Sequence, residues 1–226
     1  MTPSTGRRVR VSVSGLDGSG KSSQLEAMGT LLEADHTVDR LWVPFNIWPQ
    51  SMLRLLPGPV RFRIGVQGRT ARTADDASVA APTPPSRPVR LFWHLVATVA
   101  AVSAGVNLRR QVSRLDAEVA VLDRYRLDSV VKLKFWYPDT PTRWLAWIVM
   151  TLAPAPDLEF LLRVAPETAH ARKPEQYSVR QLTRQACLYD EVVALSDRGV
   201  VLAGEDPPDE VTRVIDKHLR GVLGRG

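Results

Sequence analysis

A chain of 226 residues is long enough to bury a substantial core and is most economically one domain. Lys and Arg number 30 against 24 Asp and Glu, and the net charge of +6 suits an anionic small-molecule ligand. The excess is too diffuse to demand a nucleic-acid groove, so no nucleic-acid partner is expected. The single cysteine, Cys187, excludes an intramolecular disulfide framework and a cysteine zinc cluster, reads as a core thiol, and makes a reducing cytoplasm the expected compartment.

The N-terminal MTPSTGRRVRVSVSG has no apolar stretch long enough for a signal peptide. Val9, Val11 and Val13 alternate with polar residues, which predicts a strand ending at Gly15. Leu25, Met28, Leu31 and Leu32 then recur at helical spacing, so an amphipathic helix should run from Lys21 to about Ala34. A short second strand is expected around Leu41, stopped by Pro44. The Arg-, Gly- and Pro-rich stretch around 50–88 has too little apolar content to fold alone and reads as a mobile insertion.

Leu91 to Leu108 is almost free of charge and flanked by Arg87, Arg90, Arg109 and Arg110. Two readings stay open for it. It sits at the short edge of a membrane-spanning length, yet it contains His94, Thr98, Ser103, Gly105 and Asn107, which favour a helix buried in the protein or between two subunits over peripheral contact with a membrane. Short apolar runs at 118–123, 157–165 and 199–204 suit buried parallel strands. Leu182, Ala186, Tyr189 and Val193 mark one helix, and Val211, Val214, Ile215, His218 and Leu219 another. Strands alternating with helices predict an α/β fold, a doubly wound parallel sheet flanked by helices in three layers, with ligands at the carboxyl ends of the strands.

Gly15, Gly20, Lys21 and Ser22 satisfy G-x-x-x-x-G-K-[ST], the phosphate-loop pattern, between the predicted strand and helix that it requires. A chance match in a chain this long is on the order of one in a hundred. Glycines let successive N–H groups turn toward phosphate oxygens, and the following helix aims its positive end at them. Gly15, Gly18, Ser19, Gly20, Lys21, Ser22 and Ser23 are therefore the expected ATP-binding residues; Lys21 neutralises phosphate charge, and the Ser22 hydroxyl ligates Mg²⁺. A plain glycine turn would account for Gly18 and Gly20 but leaves Lys21 and Ser22 unused.

GLDGSGKSSQ, followed further along by VLDRYRLDSV, resembles the thymidylate kinase family, in which a phosphate loop containing an aspartate is paired with a strand ending in Asp-Arg-Tyr/Ser. The segments PDLEFLLRVAPETAHARK and GEDPPDEVTRVIDKHL are similar to that family's lid approach and last loop and helix. The resemblance covers residues 8–35 and 118–222 and is poor between them. It implies a single P-loop kinase domain over 1–226, ATP and Mg²⁺ as cofactors, a small-molecule phosphate acceptor and a homodimer. It further implies that Asp17 faces the acceptor, Asp123 sits near the magnesium, and Arg124 grips the acceptor's phosphate. The loop has no arginine of its own, so a basic lid around 172–180, with Arg172, Lys173 and Arg180, would supply catalytic cations. For Asp123 and Arg124 a salt-bridged turn is the plainer alternative, and for the lid cations a solvated helix end.

Departures from the family pattern gather on the acceptor side. The Arg-Glu-Pro element is replaced by Val43-Pro44-Phe45; the stacking aromatic falls near Trp93, its companion arginine near Ala97, and Lys132 stands where a tyrosine often packs near the deoxyribose. Lys132, or Arg61, Arg63 and Arg69 of the insertion, are candidates to replace the missing cation. The expected activity is ATP-dependent phosphoryl transfer to thymidylate or a related, modified nucleotide. A non-nucleotide or lipid-like acceptor and a non-catalytic nucleotide-binding regulator are the alternatives.

Overall fold

The computed structural model describes residues 8–43 and 87–224. In chain order the elements are β1 (Val9–Gly15), α1 (Lys21–Glu33), β2 (Val38–Trp42), α2 (Arg87–Val112), β3 (Val119–Asp123), α3 (Arg126–Trp136), α4 (Thr142–Leu152), β4 (Leu158–Arg163), α5 (Pro166–Arg172), α6 (Val179–Val193), β5 (Gly199–Ala203) and α7 (Pro208–Leu223). The five strands form one all-parallel sheet in the order β2-β3-β1-β4-β5. The insertion around 50–88 lies outside the described residues except for Arg87 and Pro88, which open α2; Pro44, Arg61, Arg63 and Arg69 also lie outside them.

Each face of the sheet carries its own layer of helices. Met28 and Leu32 of α1 and Val211, Ile215 and Leu219 of α7 cover Val9, Val11, Val13, Val119, Phe160 and Leu162 on one face. On the other, α2, α3, α4 and α6 pack over Ala120, Leu122 and Leu161. β1 therefore passes to a helix on one face while its neighbours β3 and β4 pass to helices on the opposite face. That reversal opens a crevice at the carboxyl end of β1, the place where open parallel sheets bind ligands.

Two-sided cover changes the meaning of the alternation in β1. Ser12 and Ser14, the polar partners of the valines, are fully buried beneath the second helical layer and are not on a solvent face. β4 buries a charge the same way: Glu159 is wholly inaccessible and accepts two hydrogen bonds from Arg126 of α3, from Nε at 3.1 Å and Nη2 at 2.9 Å, as well as one from Ser196. A buried carboxylate needs such saturation.

Cys187 corrects an expectation, because it is exposed. On α6 the core face is set by Leu182, Leu188, Tyr189, Val192 and Val193, and position 187 falls on the side turned away from it. The Leu91 segment is a helix, extended to 87–112. Trp93, Ala97, Ala101 and Leu108 bury one face of it, while Leu91 and Leu95 are exposed on the other.

Candidate functional site

The loop between β1 and α1 wraps the crevice. Gly15 (φ 148°), Gly18 and Gly20 (both φ 91°) hold conformations that side-chain-bearing residues rarely adopt. At Gly18 space is as decisive as angle, since a Cβ there would lie 2.3 Å from the carbonyl oxygen of Ala169. The Ser19 N–H is taken up by Leu16 O at 3.1 Å, but among the described residues no carbonyl accepts the N–H of Asp17, Gly18, Gly20, Lys21 or Ser22. Unclaimed donors that converge at a helix N-terminus make an anion-binding concavity. The first turn of α1 holds no acidic residue to fill it.

Lys21 is buried at the base of this loop, and its Nζ donates to Gly15 O at 2.8 Å and Leu16 O at 2.6 Å. Burial pushes its pKa down to about 8, against the pull of Asp128, Asp17 and Asp123, which favour the charged form. Ser22 and Ser23 are exposed just above, at the start of the helix. At the end of β3, Asp123 is half-buried with an Oδ1 that has no hydrogen-bond partner. Burial and then the neighbouring Asp128 raise its pKa.

Arg124 follows at φ 60°, a left-handed backbone that turns its side chain onto Asp17, and the two form an ion pair. Burial works against both charges, yet the pairing wins. Asp17 is held below the usual carboxylate value by Arg124 and Lys21, and Arg124 is raised by Asp17 and Asp128.

Beside this pair lies a cavity of about 350 Å³, bounded by Gly15, Asp17 and Arg124 on the loop side. Its other walls are Val131, Lys132, Phe135 and Trp136 of α3, Tyr177, and Gln185 and Tyr189 of α6. Burial, and then Arg124, lower the pKa of Lys132. Burial also raises Tyr177 and Tyr189, in the second case reinforced by Asp128, which accepts a hydrogen bond from the Tyr189 hydroxyl at 2.6 Å. A second groove of about 430 Å³ lies on the far side of the loop, lined by Ser19, Gly20, Ser23, Arg172, Glu205 and Pro207 among others.

The expected site residues divide accordingly. Gly15, Asp17, Arg124 and Lys132 meet at the cavity, while Ser19, Gly20, Ser23 and Arg172 line the groove, with Lys21 at the root of the loop between them. Arg172 Nη1 donates to Gly18 O at 3.3 Å, whereas Lys173 at the start of the short connection 173–178 between α5 and α6, and Arg180 in the first turn of α6, are exposed. Trp93 is placed elsewhere. It is buried with its ring 5.6 Å from that of Phe92 and 6.2 Å from that of Tyr137, and it does not line the cavity.

The aromatic walls of the cavity come instead from Phe135, Trp136, Tyr177 and Tyr189. Sequence patterning singles out none of these for a ligand, because Tyr189 reads as the core face of α6, Phe135 and Trp136 stand in no motif, and the lid around 172–180 is read for its cations and not for Tyr177. Asp128 was missed too. The one acidic residue in 126–136, among Arg126, Lys132 and Lys134 and five positions after Asp123, was the signal available.

No family model and no curated protein matches this chain.

Proposed function

We propose that the protein is a Mg²⁺-dependent ATP phosphotransferase of the thymidylate kinase type, moving the γ-phosphate of ATP to a nucleoside monophosphate, thymidylate or a modified relative of it. The observation that carries this reading is the set of unclaimed N–H groups around Gly18 and Gly20, with the buried ammonium of Lys21 beneath them, next to a separate cavity entered by Asp17 and Arg124. A phosphate cradle alone would suit many proteins; a cradle adjoining an acceptor-sized cavity suits group transfer between two ligands.

The residues present fit the two groups. Five free N–H groups match the acceptor-only oxygens of a polyphosphate, and the unpartnered Oδ1 of Asp123 with the exposed hydroxyl of Ser22 gives oxygen ligands of the kind magnesium prefers. Bound ATP would supply the transferred phosphoryl group, with magnesium neutralising its oxygens. The loop N–H groups and Lys21 would hold the β- and γ-phosphates in place, and Ser22 and Asp123 would hold the metal. Arg172, already reaching the loop at Gly18, would offset the negative charge of the transferred phosphoryl group, and Lys173 and Arg180 would do the same if the connection folds inward.

On the acceptor side, Arg124 grips an anionic group and is itself aimed by Asp17. Lys132 supplies a second cation within the same cavity. Phe135, Trp136, Tyr177 and Tyr189 give flat apolar walls against which a base can stack, with the amide of Gln185 as a donor and acceptor for its edge.

The test is an ADP-release screen at fixed ATP and Mg²⁺ over all nucleoside monophosphates, nucleosides, and sugar and prenyl alcohols or phosphates. A modified pyrimidine monophosphate is expected to outperform thymidylate, because Lys132 stands in the cavity where the resemblance implies a tyrosine. Turnover confined to a prenyl or sugar acceptor would overturn the nucleotide assignment while leaving the phosphotransferase standing.

A further inference from the structure

We propose that the exposed face formed by α2 and α4 is a docking surface for an anionic lipid bilayer. It does not depend on the proposed catalytic activity. Leu91, Leu95, Val99 and Val102 project from α2 within about 80° of one another, given 3.6 residues per turn, and Leu91 and Leu95 are 70% and 62% exposed. On α4, which packs beside α2, Trp144 and Trp147 are exposed and stacked with ring centroids 5.4 Å apart; the Trp144 indole N–H donates to Thr98 Oγ1 of α2 at 3.1 Å. A contiguous apolar surface carrying two tryptophans marks an interaction site and does not occur by chance scatter.

Charge decides among the occupants. Arg87 and Arg90 stand exposed at one end of α2, Arg109 and Arg110 at the other, and Arg143 at the start of α4. Neither helix contains an Asp or Glu. Among the described residues none of these five arginines has an ion-pair partner. A second copy seated on this face would bring arginines against arginines with no carboxylate from either helix, whichever way the two α2 helices ran. A surface of anionic headgroups satisfies Arg87, Arg109, Arg110 and Arg143 while the leucines and tryptophans enter the boundary below; Arg90 lies on the side of α2 that Ala97, Ala101 and Leu108 bury. Packing favours lying on the surface over spanning, since Trp93, Ala97, Ala101 and Leu108 are buried along the length of α2 against the rest of the fold. The helix lies on the membrane.

Flotation of the intact protein with phosphatidylcholine vesicles, with and without phosphatidylglycerol, tests this. Binding is expected with the anionic vesicles, falling roughly tenfold or more in pure phosphatidylcholine or at about 1 M salt, where charges are screened within about 3 Å. Leu91→Gln with Leu95→Gln should weaken it by about a hundredfold. In the unaltered protein, bromine on the lipid acyl chains should quench part of the tryptophan fluorescence, a readout that needs no variant. No flotation, no quenching, or binding untouched by the leucine changes would overturn the proposal. So would a stable dimer that the same changes dissociate, which assigns the face to a second copy, or resistance to high-salt extraction, which indicates spanning.

Discussion

Arg124 reaches back from the end of β3 to the Asp17 carboxylate in the glycine loop, and it does so from a left-handed backbone at φ 60°. Strain of that kind persists only where the surroundings enforce it, and here it places one cation at the cavity wall. Arg124→Lys keeps the charge but loses the planar fork. A drop in acceptor kcat/KM of about ten- to a hundredfold is expected, with ATP affinity little changed. Wild-type kinetics from this variant would detach Arg124 from the acceptor.

Lys21 sets a pH dependence. With a folded-state pKa of about 8, it loses its proton above that pH unless phosphate is bound, so ATP binding must then take up a proton. Calorimetry should show ATP affinity falling by up to about tenfold for each pH unit above 8. The ligand-free protein should behave oppositely. Between about 8 and 10.5 the folded chain has released a proton that the unfolded chain retains, so the contribution of Lys21 to stability rises with pH across that window. ATP affinity flat between pH 7 and 9.5 would refute the buried ammonium.

The two loop glycines at φ 91° should respond unequally to alanine. At Gly20 nothing lies within 4 Å of a new Cβ, and Gly20→Ala carries only the left-handed penalty of about 1–2 kcal/mol. Gly18→Ala adds a collision with the Ala169 carbonyl and should cost visibly more in thermal unfolding, besides displacing α5 and Arg172. Equal losses would contradict the close approach of α5 to the loop.

Arg126 and Glu159 offer a test of the core. Removing one partner leaves a buried charge, so Arg126→Met is expected to destabilise by about 3–5 kcal/mol in denaturant unfolding, and adding Glu159→Leu should recover most of it. Additive losses would show that the pair is not coupled.

Much of the fold was legible because parallel strands in a covered sheet are short apolar runs: EVAVLD and DLEFLLRVA match β3 and β4 to within a residue or two. The glycine loop between β1 and α1 was equally legible as a loop, since its glycines at positive φ and the strand and helix on either side follow from the sequence pattern. Residues 126–152 were less so. α3 carries Arg126, Asp128, Lys132 and Lys134 among its apolar residues, and its burial comes from partners distant in sequence such as Glu159 and Tyr189, which no local pattern records. For WLAWIVM no element is predicted, and α4 forms because Leu145, Ile148 and Val149 find the core while Trp144 and Trp147 do not. Trp93 shows the converse: an aromatic positioned by alignment is turned into the core by the facing of α2, and the cavity draws its rings from α3, α6 and the connection before α6.

The most direct measurement follows radiolabel from the γ-phosphate of ATP, in the presence of Mg²⁺ and the best acceptor from the screen, for the unaltered protein and for Lys21→Ala. Transfer to the acceptor by the first, and none above background by the second with an unchanged circular dichroism spectrum, is the expected result. Undiminished transfer by Lys21→Ala, or ATP binding by the unaltered protein with no labelled product from any acceptor, would contradict phosphoryl transfer at this site.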